Sequence, residues 1–449
     1  ARVLMERHSG WSCAVVFAFG TDPNRPLVQR ALRELRECAG ERLTVSYFEE
    51  RLAGNAEAAG EFLAGLLPRG AGPIVIAGIL GMQGKPPLRE PVATLVTAVN
   101  AMEAGVRVAV DLPSAIGEEP AEAAFRADYT FATGIAKTPL FVEGNRRSVG
   151  RIRYLDIGFF NEPYEGAHTS GRHIVAGLVL EPLRAPRPVL SDKRDYGHVL
   201  VCAGSRTMPG ALMLNARAAA QAGAGLTTAL VPESVHAAFA AQLPEVMWAP
   251  FPETPEGGLA LEGLYLIREY TGRATCLLMG SGMGRGEETR QLIIDALGEL
   301  GERALVLDAD ALVPEVMDAV KNRPGNGPVF LTPHAGEFAR LTGGRAPDAE
   351  NLRAFCREHR AVVILKGPVT HICDGAFSVC STSGGPALAR GGTGDILAGM
   401  LASLASREDA PALETAARAA YWHGLLGERA AAVCGEHALA TGELFEALR

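Results

Sequence analysis

No hydrophobic run in this chain approaches the ~20 residues that a helix needs to cross a bilayer, so a membrane-spanning helix is not expected. C-x-x-C pairs are missing as well. The eight cysteines are scattered through mostly apolar, strand-like stretches. That distribution points to reduced thiols in the cytoplasm, not to a disulfide frame or a zinc site. Positive charge is not in excess: the formal net charge is −8, so neither nucleic acid nor an anionic membrane surface is an expected partner. Short internal repeats and low-complexity segments are absent, which sets aside solenoids and composition-driven disorder. The opening Ala1-Arg2-Val3-Leu4-Met5-Glu6-Arg7 does not read as a secretory signal, because charges interrupt it and no apolar stretch follows. What is present is ordinary: 449 residues, 48% hydrophobic and 21% charged, enough for two or three globular domains.

Strand-like and helix-like stretches alternate along the first part. Strands are expected at 14–19, 43–48, 74–77 and 106–110, and helices at 27–38, 56–67 and 89–104. This β-α rhythm implies a parallel sheet with helices on both faces. Ligands in such sheets bind beyond the carboxyl ends of the strands, where Asp111 and the following Leu112-Pro113-Ser114 stand. Prolines 163, 182, 186 and 188 then break the rhythm. The expected division is a first domain at 1–160, a linker at 161–190 and a second domain at 191–449. In the second domain, strands are expected at 198–203, 226–231, 275–280, 304–308, 328–332 and 361–366. Helices are expected at 210–222, 287–300, 335–342, 393–405 and 411–432. Both domains are of α/β class.

The most informative segment is Gly391-Gly392-Thr393-Gly394-Asp395, which leads straight into the apolar run Ile396–Leu401. A glycine-rich turn and the first turn of a helix leave backbone N–H groups free, and the helix dipole adds to them; together they suit a phosphate anion. A carboxylate there repels phosphate, unless it must take a proton from an attacking hydroxyl. Two further glycine loops follow strands, Ala203–Ala211 and Met279–Gly286. Asp308 and Asp310 follow another strand; a helix N-cap accounts for one, and orienting a hydrated magnesium could use the other. His334 stands at a strand-to-helix turn, as a structural residue or as a donor to an amide or phosphate. Lys366 ends the buried run Val362–Leu365, so its head has few places to go except a site, and a phosphate is its natural partner.

In this order, the blocks resemble the ADP- or ATP-dependent NAD(P)H-hydrate dehydratases of the ribokinase-like superfamily. The resemblance covers about residues 190–449 and runs through Lys193–Val201, the Gly204-Ser205-Arg206-x-Met208-x-Gly210-Ala211 loop, Ala222–Thr227, Gly280-x-Gly282-x-Gly284, Leu307–Leu312, Thr332–Glu337, Lys366–Thr370 and Gly391–Asp395. Two departures are minor: Arg194 stands for a family glycine, and Ala335 for a family proline. The resemblance implies that Asp395 is the base and that the N–H groups of Gly391, Gly392, Thr393 and Gly394 form an anion hole. It implies that Lys366, Gly367, Pro368, Val369 and Thr370, with Gly394, lie along the donor nucleotide. Ala211, Gly282, Gly284 and His334, with Asp395, would contact the hydrate. ADP is the implied donor, with ATP the alternative. Magnesium is implied by the chemistry, without assigned ligands. A small-molecule kinase acting on a vitamin precursor, and a catalytically silent nucleotide-binding protein, are the competing readings.

Residues 2–160 resemble the NAD(P)H-hydrate epimerase domain often fused ahead of this dehydratase. The resemblance rests on Leu4–Arg7, Gly81, Val110–Ser114, Lys137 and Asp156–Gly158. Where the family carries a glycine-rich loop for phosphate and potassium, this chain has Gly20-Thr21-Asp22-Pro23-Asn24-Arg25-Pro26. Two prolines remove donors there, so potassium is left open. Ala77 replaces a family aspartate and Ala115 a family glycine. Asp111 and Ser114 are the remnant, and the departures imply that epimerase activity is lost. Family habit implies a homo-oligomer in the cytoplasm. The resulting fold class is two three-layer α/β/α domains, Rossmann-like first and ribokinase-like second.

Overall fold

Central strands of the second half are apolar on both faces, which suits only a sheet covered on both sides. The computed structural model describes residues 1–19, 25–68, 72–80, 87–120, 123–159, 172–407 and 410–448. It divides the chain into two units, Ala1–Glu165 and Gly166–Arg449.

In the first unit, β1 (Cys13–Phe17) and β2 (Leu43–Tyr47) pair in parallel. A separate parallel sheet holds β3 (Ile74–Ala77), β4 (Val106–Val110), β5 (Tyr129–Thr133) and β6 (Arg151–Leu155), in that order. Alternation along β1 and its surroundings splits the apolar residues into two groups. Val16 joins Phe48, Leu63 and the helix Val92–Ala101 in one core. Val15 joins Met5, Leu35 and Ala39 in another. Gly20–Asn24 and Gly81, which enter the epimerase comparison, lie outside the described residues.

The second unit is built on one sheet. Its strands are β7 (Arg172–Ile174), β8 (His198–Cys202), β9 (Leu226–Pro232), β10 (Met247–Phe251), β11 (Cys276–Met279), β12 (Ala304–Leu307), β13 (Val329–Leu331), β14 (Val362–Leu365), β15 (Thr370–Cys373) and β16 (Ser378–Ser381), in the order β10-β9-β8-β11-β12-β13-β14-β15-β16-β7. Strands β8 to β14 run parallel, β15 returns antiparallel to β14, and β16 turns again, antiparallel to β15. One core, with Leu292, Val316, Phe338 and Phe355, packs helices on one face. The other, with Leu212, Phe239, Leu397, Leu401 and Ala416, packs them on the opposite face. This three-layer arrangement was expected.

Several elements were not. Strand β10 and the hairpin β15–β16 carry too little periodic apolar signal in sequence, whereas the helix Ala349–His359, with Leu352, Phe355, Cys356 and His359 on its buried face, was legible and passed over. The segment expected to be linker at 161–190 is partly built into the second unit: β7 pairs with β16, and Arg418 donates from Nε to Val179 O at 2.9 Å. Prolines mark its turns but do not exclude a short edge strand.

Candidate active site

Strand order reverses between β8 and β11, because the chain leaves β8 outward to β9 and β10 and returns on the other side. Such a switch point opens a crevice at the carboxyl ends of the strands. The glycine loops after β8 and β11 meet there, with the Gly204 N–H donating to Ser281 O at 2.7 Å. The loops approach so closely that a Cβ on Gly282 would lie 2.8 Å from the Cβ of Ala211. These two expected substrate residues are therefore brought together. Gly284 donates its N–H to Asp310 Oδ2 at 3.0 Å.

Farther along the same edge stands a partly buried ion pair. Lys366, just past β14, reaches Asp308 Oδ1 at 3.2 Å. Thr332 donates to the same oxygen at 2.6 Å, and Ser281 to Oδ2 at 3.1 Å. Asp308 is thus the hub of the turns after β11, β12, β13 and β14. It makes no side-chain cap to the turn it opens. Asp310 is taken by the Gly284 N–H and by Arg285, whose Nε is 3.3 Å from Oδ1. The expectation of a side-chain cap is corrected, since Asp308 makes none; both carboxylates have protein partners. No group of three ligand side chains occurs among the described residues.

The helix Thr393–Ala405 delivers Asp395 to this edge. Gly392 is its N-cap residue, at φ 89°, a conformation that glycine adopts without strain. Thr393 turns its hydroxyl back to Leu388 O and Arg390 O, at 2.9 and 3.0 Å, which closes the preceding loop. A Cβ on Gly394 would lie 3.4 Å from Lys366 Nζ, so the turn and the lysine face each other. Asp395 is partly buried in its first helical turn. Burial, followed by the Asp308 charge, pushes its carboxyl up to about 6, against the pull of Lys366. A carboxyl so placed can accept a proton near neutral pH. Gly367 and Pro368 are exposed, with Val369 and Thr370 half-buried at the start of β15.

His334 is placed beside this group, since it bridges to Lys366 in the ladder and Lys366 donates its N–H to Pro333 O at 2.8 Å. Its ring caps the helix Ala335–Leu341. Nδ1 accepts from the N–H of Gly336 and Glu337 at 3.0 and 3.2 Å. That duty places the proton on Nε2 while the ring is neutral, with Glu337 Oε1 3.5 Å from Nε2.

Sequence reasoning passed over three residues. Asn215, fully buried, donates to the main-chain oxygen of Asp395 at 2.7 Å and so anchors the first turn. Ser281, in the turn after β11, donates to Asp308 Oδ2 at 3.1 Å. His423 is buried against the Thr393 main chain near Lys366, and burial lowers its value to about 4. All three lie in apolar or small-residue stretches, where spacing gives no cue.

A family model described as NAD(P)H-hydrate dehydratase matches residues 199–449. The chain belongs to the NAD(P)H-hydrate dehydratase family. A second model, described as YjeF-related protein N-terminus, matches residues 1–139. The curated bifunctional NAD(P)H-hydrate repair enzyme Nnr of Pyrobaculum aerophilum is 36% identical over 389 residues, 84% of this chain and 73% of that protein. The enzyme of the same name from Moorella thermoacetica is 36% identical over 352 residues, 76% of this chain but 66% of that protein. Among solved structures, a ribokinase-like superfamily protein from Enterococcus faecalis is 26% identical with a TM-score of 0.54, covering 64% of this chain and 96% of that one. The ADP/ATP-dependent NAD(P)H-hydrate dehydratase of Bacillus subtilis, co-crystallized with ATP/Mg2+, is 28% identical with a TM-score of 0.50, covering 59% and 91%. The second unit of this dehydratase-family chain is thus ribokinase-like.

The first unit gathers its own polar cluster beyond β4 and β5. Asp111 pairs with Lys137 and accepts from Thr133 Oγ1 at 2.8 Å. Buried Ser114 accepts from the Leu80 N–H at 3.4 Å. Asp111 and Ala115 hold φ values of 70° and 73° without being glycine. Backbone strain of this kind needs surrounding structure to hold it.

Proposed function

We propose that this chain restores hydrated reduced nicotinamide by phosphoryl transfer from ADP within its second unit. The observation that carries the reading is Asp395. It stands in the first turn of a helix, beyond a left-handed glycine, facing the Lys366–Asp308 pair.

The hydrate is an alcohol whose hydroxide is a poor leaving group. Asp395 takes the hydroxyl proton, and the alkoxide oxygen attacks the terminal phosphorus of the nucleotide. The N–H groups from Gly391 to Gly394 receive the transferring phosphoryl oxygens. Lys366 neutralises charge on the donor phosphates, with Gly367, Pro368, Val369 and Thr370 lining the nucleotide. The nitrogen lone pair of the reduced ring then expels phosphate, and the neighbouring ring carbon gives up a proton to solvent to close the ring double bond, giving NAD(P)H, phosphate and AMP. Ala211, Gly282 and Gly284 present backbone to the hydrate, and His334 offers Nε2–H. Magnesium would supply charge neutralisation on the nucleotide's oxygens. Because Asp308 and Asp310 are engaged and no ligand trio is gathered, no step is assigned to a metal held by side chains.

For the first unit we infer a loss of epimerase activity. The support is the proline-bearing stretch in place of the glycine loop, Ala77 at the family's aspartate position, and Asp111 held by Lys137. Supplying pure R-hydrate tests it: interconversion to the S form should not exceed the spontaneous rate, and a clear excess would return epimerase activity to the domain. For the second unit, the test is recovery of reduced-nicotinamide absorbance from the S-hydrate with ADP, together with AMP release. A stable phosphate ester as product would make the chain a kinase instead.

A further inference from the structure

The hydrate is a dinucleotide, so it arrives with phosphate charges. The groups given to it above include no fixed cation: Ala211, Gly282 and Gly284 offer backbone, and Asp395 is an acid. Phosphates are held best by charge-assisted hydrogen bonds. Along the carboxyl edge, the loops that lead from β8, β9, β10, β11, β12 and β13 toward their helices carry two fixed cations, Arg206 and Arg285.

Arg206 is spent on its own protein. Its Nη2 donates to Pro255 O at 2.6 Å, and Nη1 lies 3.8 Å from Glu253 Oε2. Its main-chain N–H is taken by Gly257 O at 2.8 Å. The fork is thus turned toward the loop after β10.

Arg285 is anchored differently. Its Nε lies 3.3 Å from Asp310 Oδ1, while Asp310 Oδ2 receives the Gly284 N–H at 3.0 Å. One carboxylate clasps both the guanidinium and the backbone just before it. The rest of this turn is pinned as well. The Gly204 N–H donates to Ser281 O at 2.7 Å, and the Gly280 N–H meets Met283 Sδ at 3.2 Å. The anchoring aspartate is sheltered, 14% exposed, whereas the arginine side chain is 67% exposed. Its Nη groups have no protein partner among the described residues. Open space borders the turn here, because a Cβ on Gly284 would meet nothing within 4 Å. The same aspartate is close enough for its charge to act on Asp395, so the fork stands on the edge of the candidate site.

A guanidinium held by Nε still presents two parallel N–H groups, the geometry that matches two phosphate oxygens. Holding the fork beforehand reduces the freedom lost when a ligand binds. An exposed ion pair contributes little by itself, so Asp310 orients the arginine without cancelling its attraction for an anion. We propose that Arg285 is a specificity-determining residue of the hydrate site, aimed by Asp310 so that its Nη pair grips a phosphate of the dinucleotide. This rests on the dehydratase reading, which supplies the hydrate as the occupant.

The test uses the full chain as wild type, Arg285→Gln and Arg285→Lys, with NADH-hydrate and NADPH-hydrate in turn at saturating ADP. Arg285→Gln should raise the hydrate KM about tenfold, with the loss in KM and not in kcat or in the KM for ADP. Arg285→Lys should recover only part of it, since an ammonium lacks the fork. A rise shared by both hydrates places the contact at the bridging phosphates, and a rise confined to NADPH-hydrate places it at the 2′-phosphate. An unchanged KM for both hydrates in Arg285→Gln, or a loss confined to ADP, would overturn the proposal. Binding of NADPH, followed by the fluorescence of its reduced ring, needs no turnover and should weaken in Arg285→Gln. If wild type failed to restore the hydrate while its NADPH affinity still depended on Arg285, the catalytic reading would fall and the phosphate contact would stand.

Discussion

Lys366 Nζ lies 3.2 Å from Asp308 Oδ1, and the two side chains are unequally buried, 23% exposed against 2%. Removing the lysine therefore strands a charge that cannot reach water, whereas removing the aspartate leaves an ammonium that can. Lys366→Met should destabilise the second unit by about 2–4 kcal/mol and weaken the nucleotide. Asp308→Asn should cost less stability. Urea unfolding of both variants, with an ADP titration, checks the order; equal losses would mean that the pair is not buried as described.

Asp395 should trade stability for chemistry. Its folded value of about 6 stands above the ordinary 3.8, so folding favours the protonated form. Ionised Asp395 thus lowers stability as pH rises through that window, and the cost vanishes below it. Asp395→Asn should be more stable than the parent by about 2 kcal/mol at about pH 8, with the gain lost near pH 4. The measurement is unfolding free energy at both pH values. A variant no more stable at the higher pH would contradict the buried-carboxyl reading.

His423 runs the other way. Burial lowers its folded value to about 4, from 6.5, so the neutral ring contributes stability above the higher value that is lost as pH falls toward the lower one. The loss should reach about 3 kcal/mol. His423→Gln, which cannot titrate, should show a shallower acid decline between these values. An identical decline would place the acid sensitivity elsewhere.

Gly392→Ala tests the anion turn. The backbone there holds φ 89°, and a Cβ would meet Leu214 Cδ1 at 2.6 Å. Strain of about 1–3 kcal/mol is expected, with a shift of the turn that lowers turnover more than hydrate affinity. Wild-type turnover in this variant would show that the turn's shape is not used.

Much of the second unit is legible in the sequence because its signals are local. The helix Thr393–Ala405 is announced by glycines and an unbroken small-apolar run, and Lys366 by the four buried residues before it. What escaped is what depends on contacts between distant turns. Nothing near Asp308 in sequence shows that Ser281, Thr332 and Lys366 converge on it across three strand ends. His334 was readable as a turn histidine, but not that its Nδ1 would cap a helix. Strands β15 and β16 escaped because they are short and polar, held by pairing and not by periodicity. The linker reading of residues 161–190 weighed prolines, which mark turns, and could not see the edge of β16 waiting for a partner.

The most direct measurement follows S-hydrate incubated with ADP and the full chain, with wild type and Asp395→Asn run in parallel. Absorbance of the reduced ring should return with one AMP released per ring restored, and in the Asn variant it should stay at the uncatalysed rate while ADP still binds. Equal ring restoration by both proteins, or none by wild type with either ADP or ATP, would contradict the role given to this carboxyl at the mouth of its helix.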